Sequence, residues 1–224
     1  MRFRALGDGT TRASSSAVRS AVRNFSSSHP HVARGALVGW GVVVSIMCTY
    51  MLARHVLALP VPSRSAARAM ATIEPRPDER GHWLALHVLS GSCGCSARVL
   101  DHLVSSGRAP DVVEKILWIG PPSTQLEVAR SKGFRVSYVT AEQLATTYRI
   151  EAVPLLVVVD PAGVVRYAGG YTSRKQGPEI RDLEVLASAR SAREVAALPL
   201  FGCAASRALK RTLDPVVRLS DAFE

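Results

Sequence analysis

Two cysteines one residue apart, Cys93 and Cys95, are the residues of this chain best placed to do chemistry. They lie in Leu89-Ser90-Gly91-Ser92-Cys93-Gly94-Cys95-Ser96, between an apolar run with strand character and a helical pattern. A thiolate at that corner faces the unpaired N–H groups of a helix start, where the dipole favours negative charge. Such a setting lowers a cysteine pKa and makes the sulfur reactive near neutral pH. Gly94 is expected to let the backbone fold tightly between the two sulfurs. The second thiol then closes a disulfide with the first, or resolves a mixed disulfide with a substrate. So small a ring is expected to be strained and easily reduced, which suits exchange better than a structural role. Two other readings stay open. The pair could be small buried residues, although Gly and Ser neighbours suit core packing poorly. Alternatively, soft thiolates could hold Cu(I) or Zn. A zinc site usually has four ligands, and only Cys203 and a few histidines remain to complete one.

Four cysteines (Cys48, Cys93, Cys95 and Cys203) are too few for a disulfide scaffold in a domain of this size. Cys203 follows Gly202 in Leu198-Pro199-Leu200-Phe201-Gly202-Cys203-Ala204-Ala205-Ser206, ahead of a basic pattern read as a helix over Ala204–Thr212. It could bond to Cys93 or Cys95, serve as a third metal ligand, or be buried and inert. Cys48 receives no role. His82, His87 and His102 flank the first strand and helix; His87 is expected to pack in the sheet and His102 to be solvated. Arg166, Arg174 and Lys175 read as solvated surface.

The elements that must position these residues begin at His82. Trp83–Leu89, Val112–Ile119, Phe134–Val139, Leu155–Val159 and Val164–Tyr167 read as strands. Ser96–Val104, Ser123–Ser131 and Ala141–Tyr148 read as helices, and the remainder as mostly helical with a break near Leu198-Pro199. Asp160-Pro161-Ala162-Gly163 is a turn between the last two strands. The order β-α-β-α-β-α-β-β-α predicts an α/β domain with helices on the faces of a sheet. The late hairpin makes that sheet mixed. Pro154 opens a wholly apolar strand, where it forfeits a ladder donor; a cis bond is one way to accommodate it.

The tract Ile150 to Gly170 (IEAVPLLVVVDPAGVVRYAGG) resembles the second half of thioredoxin. The order strand, cysteine turn, helix, then Pro-strand-hairpin is also similar, over roughly residues 81–190. The resemblance implies a thioredoxin-like fold, with a nucleophilic cysteine at the helix start, a resolving cysteine nearby, and a cis-proline contacting extended substrate backbone. Carried onto this chain, these are Cys93, Cys95 and Pro154, with Val153 offering backbone hydrogen bonds to substrate. The family pattern is Trp-Cys-x-x-Cys. Here Ser92 replaces the Trp, and Ser96 stands where the second cysteine would be.

The N-terminal third is of another kind. Residues 1–34 are rich in Arg and Ser, with Asp8 the only acid. Gly35–Leu52 then runs 18 residues without a charge, about the shortest length that spans a bilayer. Six arginines precede that span (Arg2, Arg4, Arg12, Arg19, Arg23, Arg34), and Arg54, Arg64 and Arg68 follow. The positive-inside rule then keeps the N-terminus in the cytoplasm. The expected organisation is a basic segment (1–34), a transmembrane anchor (35–59), a proline-containing linker (60–80) and a thioredoxin-like domain with a helical C-terminal extension (81–224). The net charge of +10 does not indicate a nucleic-acid partner. Residues 1–80 carry 11 Lys+Arg against 4 Asp+Glu, while residues 81–224 carry 17 against 14.

These readings together predict thiol–disulfide exchange, as reductase or isomerase, on extracytoplasmic proteins through Cys93 and Cys95. No cofactor or metal is required. The partners are protein thiols or disulfides and a membrane or soluble redox partner. The protein is placed in a bacterial inner membrane with its C-terminal domain in the periplasm. An Arg- and Ser-rich, acid-poor leader also fits a mitochondrial inner-membrane protein. The competing functions are copper binding or delivery on the same fold, and a non-catalytic binding module.

Overall fold

A computed structural model of the chain describes residues 30–71, 81–175, 177–191 and 195–213. It divides into two units, Met1–Arg54 and His55–Glu224. In the first, helix α1 (Pro30–Val56) contains a 22-residue stretch, His31–Leu52, long and apolar enough to cross a membrane. Its large apolar side chains are uncovered: Leu37, Trp40 and Leu52 are each about two-thirds exposed. At 1.5 Å per residue such a stretch matches the roughly 30 Å hydrocarbon layer.

The second unit is built on a five-stranded mixed sheet, ordered β3-β2-β1-β5-β6. Its strands are β1 (Trp83–Ser90), β2 (Val112–Ile119), β3 (Arg135–Tyr138), β5 (Leu155–Val159) and β6 (Val165–Gly169). β1, β2 and β3 run parallel, whereas β5 is antiparallel to both β1 and β6. β5 is buried along its whole length, as its uninterrupted apolar sequence requires of a strand covered on both faces. A separate two-stranded ladder pairs β4 (Ala152–Val153) with β7 (Cys203–Ala204).

Strand alternation divides the core in two. Leu86, Val88, Leu155 and Val157 face one layer, which also holds Cys93, Leu144, Ile150, Val153 and Leu200. Ala85, Leu89, Leu156 and Val158 face the other, under α3 (Gly94–Ser106), α4 (Thr124–Ser131) and α6 (Asp182–Arg190). The short α5 (Ala141–Thr146) starts at a capping box. Thr140 Oγ1 accepts from the Gln143 amide, and the Gln143 side chain accepts from the Thr140 amide.

Two segments differ from expectation. Part of the predicted linker is helix α2 (Arg64–Ala71), capped by Ser63, whose hydroxyl accepts from the Ala66 amide at 3.2 Å. Its buried residues are Ala66 and Ala67; alanines favour helix but leave no large apolar periodicity to read. Residues 72–80 of the predicted linker lie outside the described residues. In the C-terminal region, helix α7 (Arg207–Leu213) begins three residues later than expected. Ser206 sets that start, its hydroxyl accepting from the Leu209 amide at 3.0 Å. Cys203 is therefore in a strand, not at a helix start.

Candidate functional site

β1 ends at Ser90 and the chain turns at once into α3. Cys93 is the residue before the helix, in extended conformation, and its carbonyl accepts from the Ala97 amide at 3.0 Å. Its own amide donates to the Ser90 carbonyl, which closes the turn. The glycine this turn needs is Gly91, where a Cβ would lie 2.8 Å from the Trp118 ring. Gly94, expected to be the conformationally special residue, is an ordinary first-turn helical position with open space around it.

The Val153–Pro154 peptide bond is cis. It brings the Val153 carbonyl to 4.0 Å from Cys93 Sγ. β7 runs beside this step. Val153 pairs with Cys203 and Ala152 with Ala204, antiparallel, and the amides of Ala205 and Ser206 donate to the Glu151 carbonyl. The ladder carries Cys203 to Cys93, and the two form a disulfide with Cα atoms 5.9 Å apart. Cys93 is 1% exposed, while Cys203 remains partly exposed.

The structure thus brings together Cys93, Cys203, Val153 and Pro154. It leaves Cys95 a free thiol, half-buried against the first core layer. Cys93 is bonded to Cys203, so the expected Cys93–Cys95 ring is not the disulfide present. Ser96, where the family pattern has its second cysteine, is completely buried, and its hydroxyl has no hydrogen-bond partner among the described residues. Among the described residues, no group of three or more His, Cys, Asp or Glu is placed to hold a metal ion.

Sequence reasoning missed what steers Cys203. Leu200 is fully buried, and its carbonyl accepts from the Leu59 amide at 2.8 Å. The Leu198 carbonyl accepts from the Gly170 amide, and the Leu198 amide donates to the Tyr167 hydroxyl. Burial pushes the Tyr167 phenol up to about 12, against the opposing bond from Leu198. Gly202 passes so close to the cis-proline step that a Cβ there would lie 1.9 Å from the Val153 oxygen. The legible signal was Pro199 and Gly202 within four residues, which argues against helix.

The remaining polar residues sit elsewhere. His87 is buried in the second layer, hydrogen-bonded to Glu114 through Nε2 (3.2 Å) and to Tyr171 through Nδ1 (2.9 Å). It packs in the sheet as expected, on the face away from Cys93. Burial, with the nearby Asp182 carboxylate next in weight, drives the Tyr171 phenol well above its ordinary range. His102, expected to be solvated, bonds to the buried Asp182 at 3.0 Å. Arg166 is exposed, as expected, and pairs with Asp160 at 2.7 Å. A cavity of about 490 Å³ opens beside the cysteine turn, between Ser92, Leu100, Trp118 and Pro121, but Cys93 does not line it.

No family model matches the chain, and no curated protein matches it at a significant level. Several solved structures are similar to it. An uncharacterized conserved protein from Geobacillus kaustophilus aligns over 68% of this chain and 91% of its own, at 15% identity and a TM-score of 0.44. A secreted disulfide oxidoreductase from Mycobacterium tuberculosis, described as homologous to E. coli DsbE, aligns over 51% and 84%, at 13% identity and 0.36. StoA from Bacillus subtilis aligns over 52% and 91%, at 16% identity and 0.34. Strand order, the cysteine turn at the start of α3 and the cis-proline before β5 define the fold as thioredoxin-like. Among the described residues, this thioredoxin-like fold follows one candidate membrane-spanning helix in the sequence.

Proposed function

We propose that this protein is a membrane-anchored thiol–disulfide exchanger, acting as reductase or isomerase on extracytoplasmic proteins. The observation that carries the reading is the cysteine at the N-terminus of α3, joined to a second cysteine held beside the cis-proline. A helix start favours the thiolate over the thiol, and so favours Cys93 as both attacking and leaving sulfur. The arginines ahead of α1 support an N-terminus in the cytoplasm and a domain in the periplasm of a bacterial inner membrane.

In the reducing direction, the Cys93 thiolate attacks one sulfur of a substrate disulfide. A Cys93–substrate disulfide forms, and the other substrate sulfur leaves as a thiolate that takes up a proton. The Cys203 thiolate then attacks Cys93 Sγ, giving the Cys93–Cys203 disulfide and the second substrate thiol. Two electrons have passed to the substrate, and an external dithiol reductant restores the pair. Cys203 here takes the resolving step that the sequence alone assigns to Cys95.

The test is a redox titration of the full chain in detergent, in glutathione or dithiothreitol buffers, with thiols alkylated and counted by mass. A reversible two-thiol transition is expected, lost in Cys93→Ser and Cys203→Ser and kept in Cys95→Ser. Loss in Cys95→Ser alone would return the resolving role to that residue. Thiols that never exchange would sink the reading.

A further inference from the structure

Cys93 is 1% exposed, and β7 is part of what covers it. An outside sulfur therefore needs β7 out of the way before it can meet Cys93. The covering stretch is suited to such a movement. Phe201, Gly202, Cys203 and Ala204 are all partly exposed, between a fully buried Leu200 and the buried Ser206 that caps α7.

Departure of β7 would leave β4 with an open edge, because β7 is its one strand partner among the described residues. An open edge takes up an extended chain through main-chain hydrogen bonds, and steric fit of the side chains sets which chain. The fit here is severe at one position. A Cβ at residue 202 would lie 1.9 Å from the Val153 oxygen and 2.5 Å from Pro154 Cδ. Those are a backbone atom and a ring atom, which no side-chain rotation can move aside. Any strand that presents its cysteine to Cys93 in this register meets the same wall at the preceding residue.

Extended substrate backbone at the Val153–Pro154 step is what the thioredoxin resemblance implies; resting on the exchange reading above, we infer that this β4 edge takes only strands with glycine immediately before the reacting cysteine. Residues 201–204 are an internal copy of that substrate, which holds the groove in the oxidised chain and yields it on reduction. Specificity then lies in the Val153–Pro154 step, and every outside substrate competes with the chain's own Gly202-Cys203.

The test uses the full chain in detergent with Cys48, Cys95 and Cys203 replaced by Ser, leaving Cys93 as the sole thiol. The probes are two peptides of residues 198–205, one with the natural Gly-Cys step and one with Val-Cys, each carried as its disulfide with 5-thio-2-nitrobenzoate. Attack by Cys93 forms the protein–peptide disulfide and releases the coloured thiolate, so the rate is read directly. Glutathione carried as the same disulfide is the small control. The Gly-Cys peptide is expected to react at least about tenfold faster than the Val-Cys peptide, the factor that corresponds to ~1.4 kcal/mol. Equal rates for the two peptides would overturn the inference and leave exchange intact, as would reaction with the control alone. No reaction with any of the three would overturn the exchange reading itself. In the otherwise natural chain, Gly202→Ala is expected to speed reduction of the Cys93–Cys203 disulfide severalfold. An unchanged reduction rate in a folded Gly202→Ala protein would show that residues 201–204 are not displaced.

Discussion

Cys93 and Cys203 stand 110 residues apart in the chain and 5.9 Å apart at their Cα atoms. One covalent bond thus ties the start of α3 to the C-terminal extension and encloses most of the domain. Cross-linking a loop of about 100 residues stabilises a fold by up to ~4–5 kcal/mol in the chain-entropy account. Reduction, or Cys203→Ala, is therefore expected to lower stability by ~2–5 kcal/mol. Urea denaturation with and without dithiothreitol checks this; coincident curves for the natural chain would show that the bond does not brace the fold.

The two glycines around the reactive turn should answer substitution oppositely. Gly91→Ala places a methyl 2.8 Å from the Trp118 ring, and overpacking of this kind costs about 1–3 kcal/mol. Gly94→Ala meets nothing within 4 Å in the first turn of α3. Alanine there is expected to be neutral or to stabilise by up to ~1 kcal/mol. Thermal unfolding of the two variants separates them, and an equal loss in both would contradict the turn geometry.

Asp160 organises the β5–β6 turn. Its carboxylate accepts from the amides of Ala162 and Val164 and pairs with Arg166. Burial alone would push the carboxyl up, but the Val164 amide, Arg166 and the Ala162 amide together hold it below the ordinary value. The folded state thus binds this proton more weakly than the unfolded one. The contribution is complete above about pH 4, the ordinary aspartate value, and is lost as pH falls through the lower folded value. Asp160→Ala is expected to cost about 1–2 kcal/mol at pH 7. The gap to the natural chain should narrow below pH 4; a pH-independent gap would mean that the carboxylate's charge plays no part.

The Glu114–His87–Tyr171 chain of hydrogen bonds lies in the core layer away from Cys93. His87→Leu leaves Glu114 Oε2 buried without its partner, at a cost of about 1–3 kcal/mol. The alkylation rate of reduced Cys93 should stay within about twofold, since each layer sees the sheet from its own side. A large rate change in a folded His87→Leu protein would show that the layers communicate.

Ser96 offers a separate check on the same turn. Its buried hydroxyl has no partner among the described residues of the oxidised chain, so Ser96→Ala should be neutral or mildly stabilising there. Three residues after Cys93, it lies on the same side of α3. If it donates to the Cys93 thiolate after reduction, Ser96→Ala will raise the pH midpoint of Cys93 alkylation; an unmoved midpoint would show that it does not.

Local chemistry made much of the scaffold legible in the sequence. The uniform apolar run Leu155–Val159, short and rich in valine, reads as a strand covered on both faces, and it is one. Val112–Ile119 appears with the predicted bounds. A strand ending in Gly and Ser before an amphipathic run marks a helix start close to Cys93, and the helix begins at Gly94, two residues ahead of the expected Ser96. The apolar stretch before Leu52 likewise announces a helix of membrane-spanning length.

The partner of Cys93 was decided by tertiary structure. Nearness in sequence favoured Cys95, yet Cys93 is bonded to Cys203 and Cys95 stays a free thiol. Cys203 reaches Cys93 because Leu200 is buried beside Leu59, Gly202 lacks a Cβ where the cis-proline step passes, and β4 pairs with β7. Each of those conditions depends on residues 40 or more positions away, so no local pattern encodes it. Residue type set which atoms can react, and the path of the C-terminal chain across the sheet edge set which of them meet.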